Sequence, residues 1–411
     1  MEILSVIEHE RIPIRASRRE GEHVLTEAHA EALSRLEARL PKRTFAWGHH
    51  VITFAQHCGV VSLGDLCLEI LPKIHGREES PGACRTALIH LLKRARRLKT
   101  TPVGQGAMGR QTEVLLDVFL IYFCDLLQAQ LMQGMLRGYV EKEENLHVVR
   151  GRIKLDMQFK HNLAHGERVY CCYDEMSVDT PHNQMIKSVL RQMQQFASGT
   201  TARKRIARLL MQFADIRDIP ADLTFFESLA FDRTTCRFKE IFGMCRMFLE
   251  GLHPDVVAGD MPCLALIFDM NRLFEAYVSD IMRRNAGKRG LRMREQGPKK
   301  YMAIRPDTGN ELFLMKPDMV FLDESTPVAL ADAKWKILNE NGKNLGITQG
   351  DLYQMSAYAA RYGIDTLALI YPRQAKLTSP VEFRLQGDAR VTIRVIPIDV
   401  IPNGTTDIIF P

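Results

Sequence analysis

The apolar positions change period along the chain. Over residues 1–75 they alternate or come in short runs, as half-buried strands do. Met1–Ile14 alternates, and Ala46–Phe54, Val60–Val61 and Leu66–Leu71 read as short strands, with Gly48, Gly59 and Gly64-Asp65 at turns. One helix interrupts them over Thr26–Leu40, stopped by Pro41. From Ser80 the period becomes helical. Helices are expected from Ser80 to about Leu98 and, as a long amphipathic helix, over Glu113–Met135. Another starts at a cap on Asp179 or Thr180, with Pro181 in its first turn, and runs to about Ala197. Ala202–Phe213 and Cys236–Leu252 complete the helical stretch, in which Tyr139–Asp156 reads as a turn and strand. Pro254–Pro262 reads as a linker. After it come a helix at Phe268–Val278, strands Leu312–Leu322 and Pro327–Trp335 around the polar turn Asp323-Glu324-Ser325-Thr326, and a third strand. A helix at Gln349–Tyr362, a strand at Thr366–Tyr371, a hairpin of Val381–Leu385 with Val391–Ile396, and a tail close the chain. The pattern predicts an α/β multidomain protein: a small β-rich domain over 1–100, an α-helical connector over 101–253, and an α/β domain with a mixed central sheet over 254–411.

The predicted hairpin carries the chemistry. Met319-Val320-Phe321-Leu322 and Val328-Ala329-Leu330-Ala331 look like buried strands, yet they are flanked by Lys316-Pro317-Asp318 and Asp332-Ala333-Lys334. Charges at the end of a buried strand are tolerated when they pair or bind metal. Asp332 and Lys334 are two apart and project from one face, and Asp318 on the neighbouring strand can meet Asp332. Two carboxylates beside a lysine suit a magnesium ion that activates water against a phosphodiester. A surface hairpin with an Asp–Lys ion pair would explain the same three residues. The flanks weigh against it: Glu275 can aim a third carboxylate at the site, and Gln354 and Tyr358, four apart, share a helix face.

Composition narrows the field. The 411 residues allow two or three cores, and 46% hydrophobic with 25% charged residues is ordinary for a globular protein. A net charge of +6 fits a nucleic-acid partner without demanding one. The nine cysteines are scattered without a Cys-x-x-Cys, which argues for reduced thiols in the cytoplasm and against a zinc ribbon or a four-cysteine iron–sulfur cluster. The N-terminus does not read as a signal peptide, and Val114–Leu127 is too short to span a bilayer, so no membrane partner is expected. No Gly-Lys-Ser or Gly-Lys-Thr occurs, so the chain should not hydrolyse a nucleotide itself. Lys93, Arg94, Arg96, Arg97 and Lys99 form a basic helix end before the Gly-rich break Thr100–Arg110; this is a solvated face or a nucleic-acid or partner contact. His147, His161, His165 and His182 lack metal-ligand spacing on one element and are read as structural. Lys299, Lys300 and Lys336 are candidates for DNA-backbone contact by charge alone.

The order helix, hairpin, third strand, helix, strand resembles the PD-(D/E)XK nuclease core, and Gln354-x-x-x-Tyr358 resembles the extra motif of its RecB-like branch. Further stretches extend the likeness: Gly64-Asp65-Leu66-Cys67-Leu68-Glu69-Ile70-Leu71-Pro72-Lys73-Ile74; Tyr139-Val140 with Glu143-Glu144-Asn145-Leu146 and Arg150-Gly151-Arg152-Ile153; Asp179-Thr180-Pro181-His182-Asn183; Asn271-Arg272-Leu273-Phe274-Glu275; and Lys316-Pro317-Asp318 with Asp332-Ala333-Lys334-Trp335-Lys336. Together they resemble the McrC family, the nuclease subunit of 5-methylcytosine-specific restriction systems, over nearly the whole chain. Some relatives carry Thr where this chain has Ala333.

The resemblance implies a division of labour. A separate McrB-like AAA+ GTPase ring binds GTP, reads the modified base and translocates on double-stranded DNA. This chain would dock through its N-terminal part, stimulate GTP hydrolysis and cut. Asp318, Asp332 and the Ala333 carbonyl would hold Mg²⁺, with Glu275 as an outer or second-site carboxylate. Lys334 would orient water or stabilise the phosphorane, and Gln354 and Tyr358 would position the backbone or the lysine. The contacts with the ring are not legible. Two other readings use the same residues: a RecB-like repair nuclease acting without a GTPase, and a non-catalytic activator whose nuclease block only clamps DNA.

Overall fold

The computed structural model describes residues 2–77, 80–95, 114–163, 166–258, 261–336, 338, 343–374, 377–386, 388–402, 404 and 410. Arg96, Arg97 and Lys99, the Gly-rich break and His165 lie outside them. The chain divides into two compact units, one formed by Thr101–Leu266 and one by Glu2–Thr100 together with Ile267–Pro411. The first and last sequence segments therefore fall largely in one unit.

In that unit, strand Glu2–Ile7 pairs in parallel with Leu66–Leu71, which pairs antiparallel with His57–Leu63. Both partners are buried along their whole length, so their sequences run apolar instead of alternating. Gly59, expected at a turn, lies inside a strand at φ 149, a backbone angle glycine adopts freely. Helix Glu27–Glu37 starts where Thr26 accepts from the His29 amide and His29 answers on the Thr26 amide, and it stops short of Pro41.

The same unit holds a six-stranded mixed sheet in the order Arg292–Glu295, Met319–Asp323, Thr326–Ala333, Thr366–Pro372, Asp388–Ile398, Val381–Leu385. The first three run antiparallel to one another in turn, and Thr326–Ala333, Thr366–Pro372 and Asp388–Ile398 are mutually parallel. Helix Gln349–Tyr362 makes the crossover between the first two parallel strands. It sets Met355, Tyr358 and Ala359 against Val320, Leu330, Leu367 and Leu369. Thr348 caps it and Gly363, left-handed at φ 68, ends it. Helix Met270–Lys288 starts at the Asp269 cap.

Two expectations fail here. The strand read as Leu312–Leu322 is broken: Glu311–Met315 pairs with Lys300–Ile304 as a separate ribbon, and the sheet strand begins only at Met319. Phe313 at φ 59 and Pro317, which has no N–H to donate, interrupt regular pairing. The third strand, expected after the hairpin, is Arg292–Glu295 before it; between Trp335 and the helix the described residues hold only the 3-10 turn Lys343–Gly346.

In the Thr101–Leu266 unit, helix Leu115–Leu131 is buried nearly all round rather than amphipathic, packing Phe123 edge-on to Phe248. Its buried Asp117 accepts from the amides of Ser198 and Gly199 and so caps helix Thr200–Gln212. The expected α-helical connector holds more β-structure than the turn and strand read over Tyr139–Asp156. Gly138–Leu146 and Arg152–Ile153, in and beside that stretch, form an antiparallel sheet with Val169–Ser177, a strand not expected from the sequence. The expected linker Pro254–Pro262 is part of a β-hairpin, Leu252–Ala258 with Met261–Asp269. A register shift between His253 and Val257 accommodates Pro254.

Candidate active site

The register of the hairpin builds the site. Met319 lies opposite Ala331, so Asp318 falls one step beyond, beside Asp332 and Ala333. The Ala333 amide donates to Asp318 Oδ2 at 2.8 Å. On the other side Asp332 pairs in parallel with Leu369, and the Lys334 amide continues the ladder to the Ile370 carbonyl at 2.8 Å. The site thus sits at the carboxyl ends of parallel strands.

Asp332 and Lys334 meet directly, Oδ2 to Nζ at 2.6 Å. Gln354 spans both: its Oε1 accepts from Lys334 Nζ at 3.0 Å, and its Nε2 donates to Asp332 Oδ1 at 3.3 Å and to the Tyr358 hydroxyl at 2.9 Å. Four of the six candidate catalytic residues, Asp332, Lys334, Gln354 and Tyr358, form one connected network, and Asp318 joins it through the Ala333 backbone. Glu275 stands apart. Its carboxylate accepts from Gln296 Nε2 at 3.0 Å. The single described group of three or more His, Cys, Asp or Glu side chains whose ligand atoms all lie within 4.8 Å of one another is Glu141, Glu143 and Cys172, so Glu275 does not close a tight triad with Asp318 and Asp332.

The electrostatics are lopsided. Burial, then the charges of Asp332 and Glu275, push Asp318 up to about 8. Asp332, 1% exposed, is also raised, by burial against the opposing pull of Lys334. Burial would lower the pKa of Lys334, but Asp332 and Asp318 outweigh it and hold the ammonium above its ordinary value. Lys334 is therefore a charged donor and not a base. Burial also raises Tyr358 to about 12, keeping its phenol protonated. One ammonium faces two carboxylates in a desolvated setting, a deficit of positive charge.

The residues fit a divalent cation. Asp332 Oδ2 is buried, with the Lys334 ammonium at 2.6 Å as its charged partner, while Asp318 has only the Ala333 amide among the described residues. A buried pair of carboxyls with one ammonium between them suits a hard cation. Asp318 and Asp332 would hold it, with the Ala333 carbonyl available between them.

The three basic candidates differ. Lys336 is held by Asp351, at 3.0 and 2.9 Å to its two oxygens. Lys300 folds back over the Tyr362 ring and donates to the Arg361 carbonyl at 3.1 Å. Lys299 is exposed. Sequence reasoning overlooked Asp351, which also accepts from the Thr348 hydroxyl at 2.7 Å and the Tyr371 hydroxyl at 3.4 Å. Its signal was the Thr-x-x-Asp spacing at a helix start. Gln296, which holds Glu275, had no signal.

Fold and site define a mixed α/β protein with a buried carboxylate pair and a lysine at the carboxyl end of a sheet strand. The chain belongs to the McrBC 5-methylcytosine restriction system component family, whose model matches residues 52–372. A search of curated proteins finds no match. Among solved structures, the chain is similar to one from the Thermococcus gammatolerans half-complex of McrB AAA+ hexamers with bound McrC. The TM-score is 0.76 at 19% identity, over 97% of this chain and 94% of that one. It is also similar to a chain of the Thermococcus gammatolerans McrBC complex, with a TM-score of 0.54 at 19% identity over 69% of this chain and 88% of that one. At that identity the likeness speaks for the fold. Among the described residues no helix is long and apolar enough to cross a membrane.

Proposed function

We propose that this chain is the McrC-like, Mg²⁺-dependent DNA endonuclease subunit of a modification-dependent (type IV) restriction complex, with its 254–411 segment a PD-(D/E)XK nuclease. The observation that carries the reading is the Asp318–Asp332–Lys334 set bound together by Gln354 and the Ala333 amide at the carboxyl end of a buried strand. A structural ion pair needs one carboxylate; a second, buried beside it and raised to about 8, suits cation binding.

Bound there, Mg²⁺ would supply a nucleophile from water at neutral pH and neutralise charge on the phosphoryl oxygens. Lys334, already charged, directs its ammonium to where negative charge builds at phosphorus. Gln354 holds both the Lys334 head and the Asp332 carboxylate, with Tyr358 as its anchor. Glu275, held by Gln296, adds negative charge at the edge and is placed to act as an outer carboxylate. Lys299 and Lys300 are backbone contacts on the approach.

The family supports a partner of the McrB kind: an AAA+ GTPase ring that binds GTP and reads modified double-stranded DNA, with this chain stimulating its hydrolysis. The nine cysteines are thiols rather than disulfides, in keeping with work in the cytoplasm. The test is cleavage of methylated and unmethylated plasmid by this chain alone and with the neighbouring GTPase, with Mg²⁺ and GTP, beside Asp332→Ala. Cutting that needs the partner, GTP and Asp332 is expected. Cutting by the chain alone would move the assignment to a RecB-like repair nuclease, and GTPase stimulation without cutting would leave only an activator.

A further inference from the structure

Just before Asp318 the chain makes a ribbon, Lys300–Ile304 paired with Glu311–Met315, that joins no other strand among the described residues. Its base is fixed: Arg361 Nε donates to the Tyr301 carbonyl at 2.8 Å, and the Tyr362 hydroxyl donates to the Pro298 carbonyl at 2.7 Å. Its far part is bare. Tyr301 lies opposite Leu314 and Ala303 opposite Leu312; between and beyond these pairs stand Phe313, where regular pairing is interrupted, Met302 and Ile304. These three are 72%, 62% and 62% exposed. Phe313 sits at φ 59, a left-handed backbone that a bulky aromatic rarely adopts, and its side chain stands in solvent. An isolated ribbon with an apolar exposed face is a liability unless something covers it.

Charge and position indicate what covers it. Over residues 292–316 the basic residues are Arg292, Arg294, Lys299, Lys300, Arg305 and Lys316, against Glu295, Asp307 and Glu311. Glu295 is taken by Arg283 and Asp307 by Arg305. Arg292, Arg294, Lys299 and Lys316 are exposed, and none of their side chains has a hydrogen bond or ion pair among the described residues. A second copy of the chain would bring the same unpaired cations against them, whereas a polyanion would neutralise them. Only Lys316 and Pro317 separate Met315 from Asp318, a reach of at most about 10 Å. A duplex with a phosphate at Asp318 must pass the base of the ribbon. A five-residue strand is about 17 Å long, enough to cross a major groove about 12 Å wide.

We propose that this ribbon enters a groove of the DNA duplex next to the scissile phosphate. Met302, Ile304 and Phe313 meet sugars and base edges, while the flanking cations meet phosphates. The proposal rests on the reading of the site as a DNA nuclease and adds the element that grips the duplex.

The test uses the full chain carrying Phe313→Ala, or Met302→Ser with Ile304→Ser. Binding of a fluorescein-labelled duplex is followed by anisotropy with Ca²⁺ in place of Mg²⁺. Plasmid cutting is followed with the partner GTPase, GTP and Mg²⁺, and thermal melting checks the fold. Binding and cutting should both fall at least about tenfold with unchanged melting, as expected for lost groove contacts. Unchanged binding and cutting, while Asp332→Ala abolishes cutting, would overturn the ribbon proposal and leave the nuclease reading in place. Loss of self-association in sedimentation with duplex affinity intact would overturn it in favour of a protein contact. Absence of binding and cutting by the unsubstituted chain on any duplex would overturn both readings.

Discussion

The indole N–H of Trp335 donates to Glu8 Oε2 at 3.0 Å, joining residues 327 apart in sequence. Glu8 is 4% exposed, and its other oxygen accepts from the Gln56 amide at 2.9 Å. The Trp335 ring also packs on Phe274, one residue before Glu275. The residue after Lys334 is thus pinned by the N-terminal segment and by the helix that carries Glu275. Trp335→Phe keeps most of the ring packing and leaves a buried carboxylate oxygen without its donor. It should cost about 1–3 kcal/mol of stability, read as a lower midpoint in urea. An unchanged midpoint would mean that water replaces the indole at that oxygen.

Within the site, the hydrogen-bond order sets the order of losses. Asp318→Ala, Asp332→Ala and Lys334→Ala each remove a charge that nothing nearby can replace. Each should lower plasmid cutting about 100- to 1,000-fold or more. Gln354→Ala leaves those charges and removes only the group aligning them, so its loss should be smaller, about tenfold. Stimulation of the partner GTPase should survive all four changes. A Gln354→Ala loss as large as that of Lys334→Ala would move Gln354 from positioning to direct contact with the reacting phosphate.

How much of this was legible depended on whether the relation was local. Asp332 and Lys334 are two apart on a strand, and Gln354 and Tyr358 four apart on a helix, so backbone period alone makes each pair neighbours. Asp351 meeting Lys336 depends on how a helix lies across a sheet, which no period encodes. The break at Phe313 was invisible because an apolar run such as Leu312-Phe313-Leu314 gives no sign of a left-handed residue within it. The hairpin around Pro254 was missed because Pro, Gly and Asp usually mark linkers, and a local register shift overrode that preference. Within the connector a strand is legible over Tyr139–Asp156, but its partner Val169–Ser177 was missed because the pairing between them is not local and leaves no period of its own.

The basic residues near the site should separate in a salt titration. Lys336 is neutralised by Asp351, whereas Lys299 is exposed. If Lys299 meets a phosphate, Lys299→Ala should weaken duplex binding across sequences and flatten the dependence of log affinity on log salt by about one. Lys336→Ala should leave that slope unchanged. Equal slopes for both variants and the unsubstituted chain would remove Lys299 from the DNA path.

The raised pKa of Asp318 makes the metal-free protein pH-sensitive in a definite direction. Its carboxyl titrates at about 8 in the fold, against an ordinary value of 3.8, because burial and the charges of Asp332 and Glu275 disfavour ionisation. Between those values the folded chain binds more protons than the unfolded one, so stability falls as pH rises. The contribution is fully present below about pH 4 and lost by the time the folded group ionises near pH 8. Asp318→Asn keeps an oxygen for the Ala333 amide and removes the titration. With EDTA present, its melting temperature should exceed that of the unsubstituted chain by a margin that grows from pH 5.5 to pH 8.5. Added Mg²⁺ should reverse the comparison at the higher pH, stabilising the unsubstituted chain and not the variant, because the ion needs the ionised carboxylate. A margin that is constant with pH would show that Asp318 is already ionised without metal, and that the carboxylate pair is compensated by something other than a bound cation.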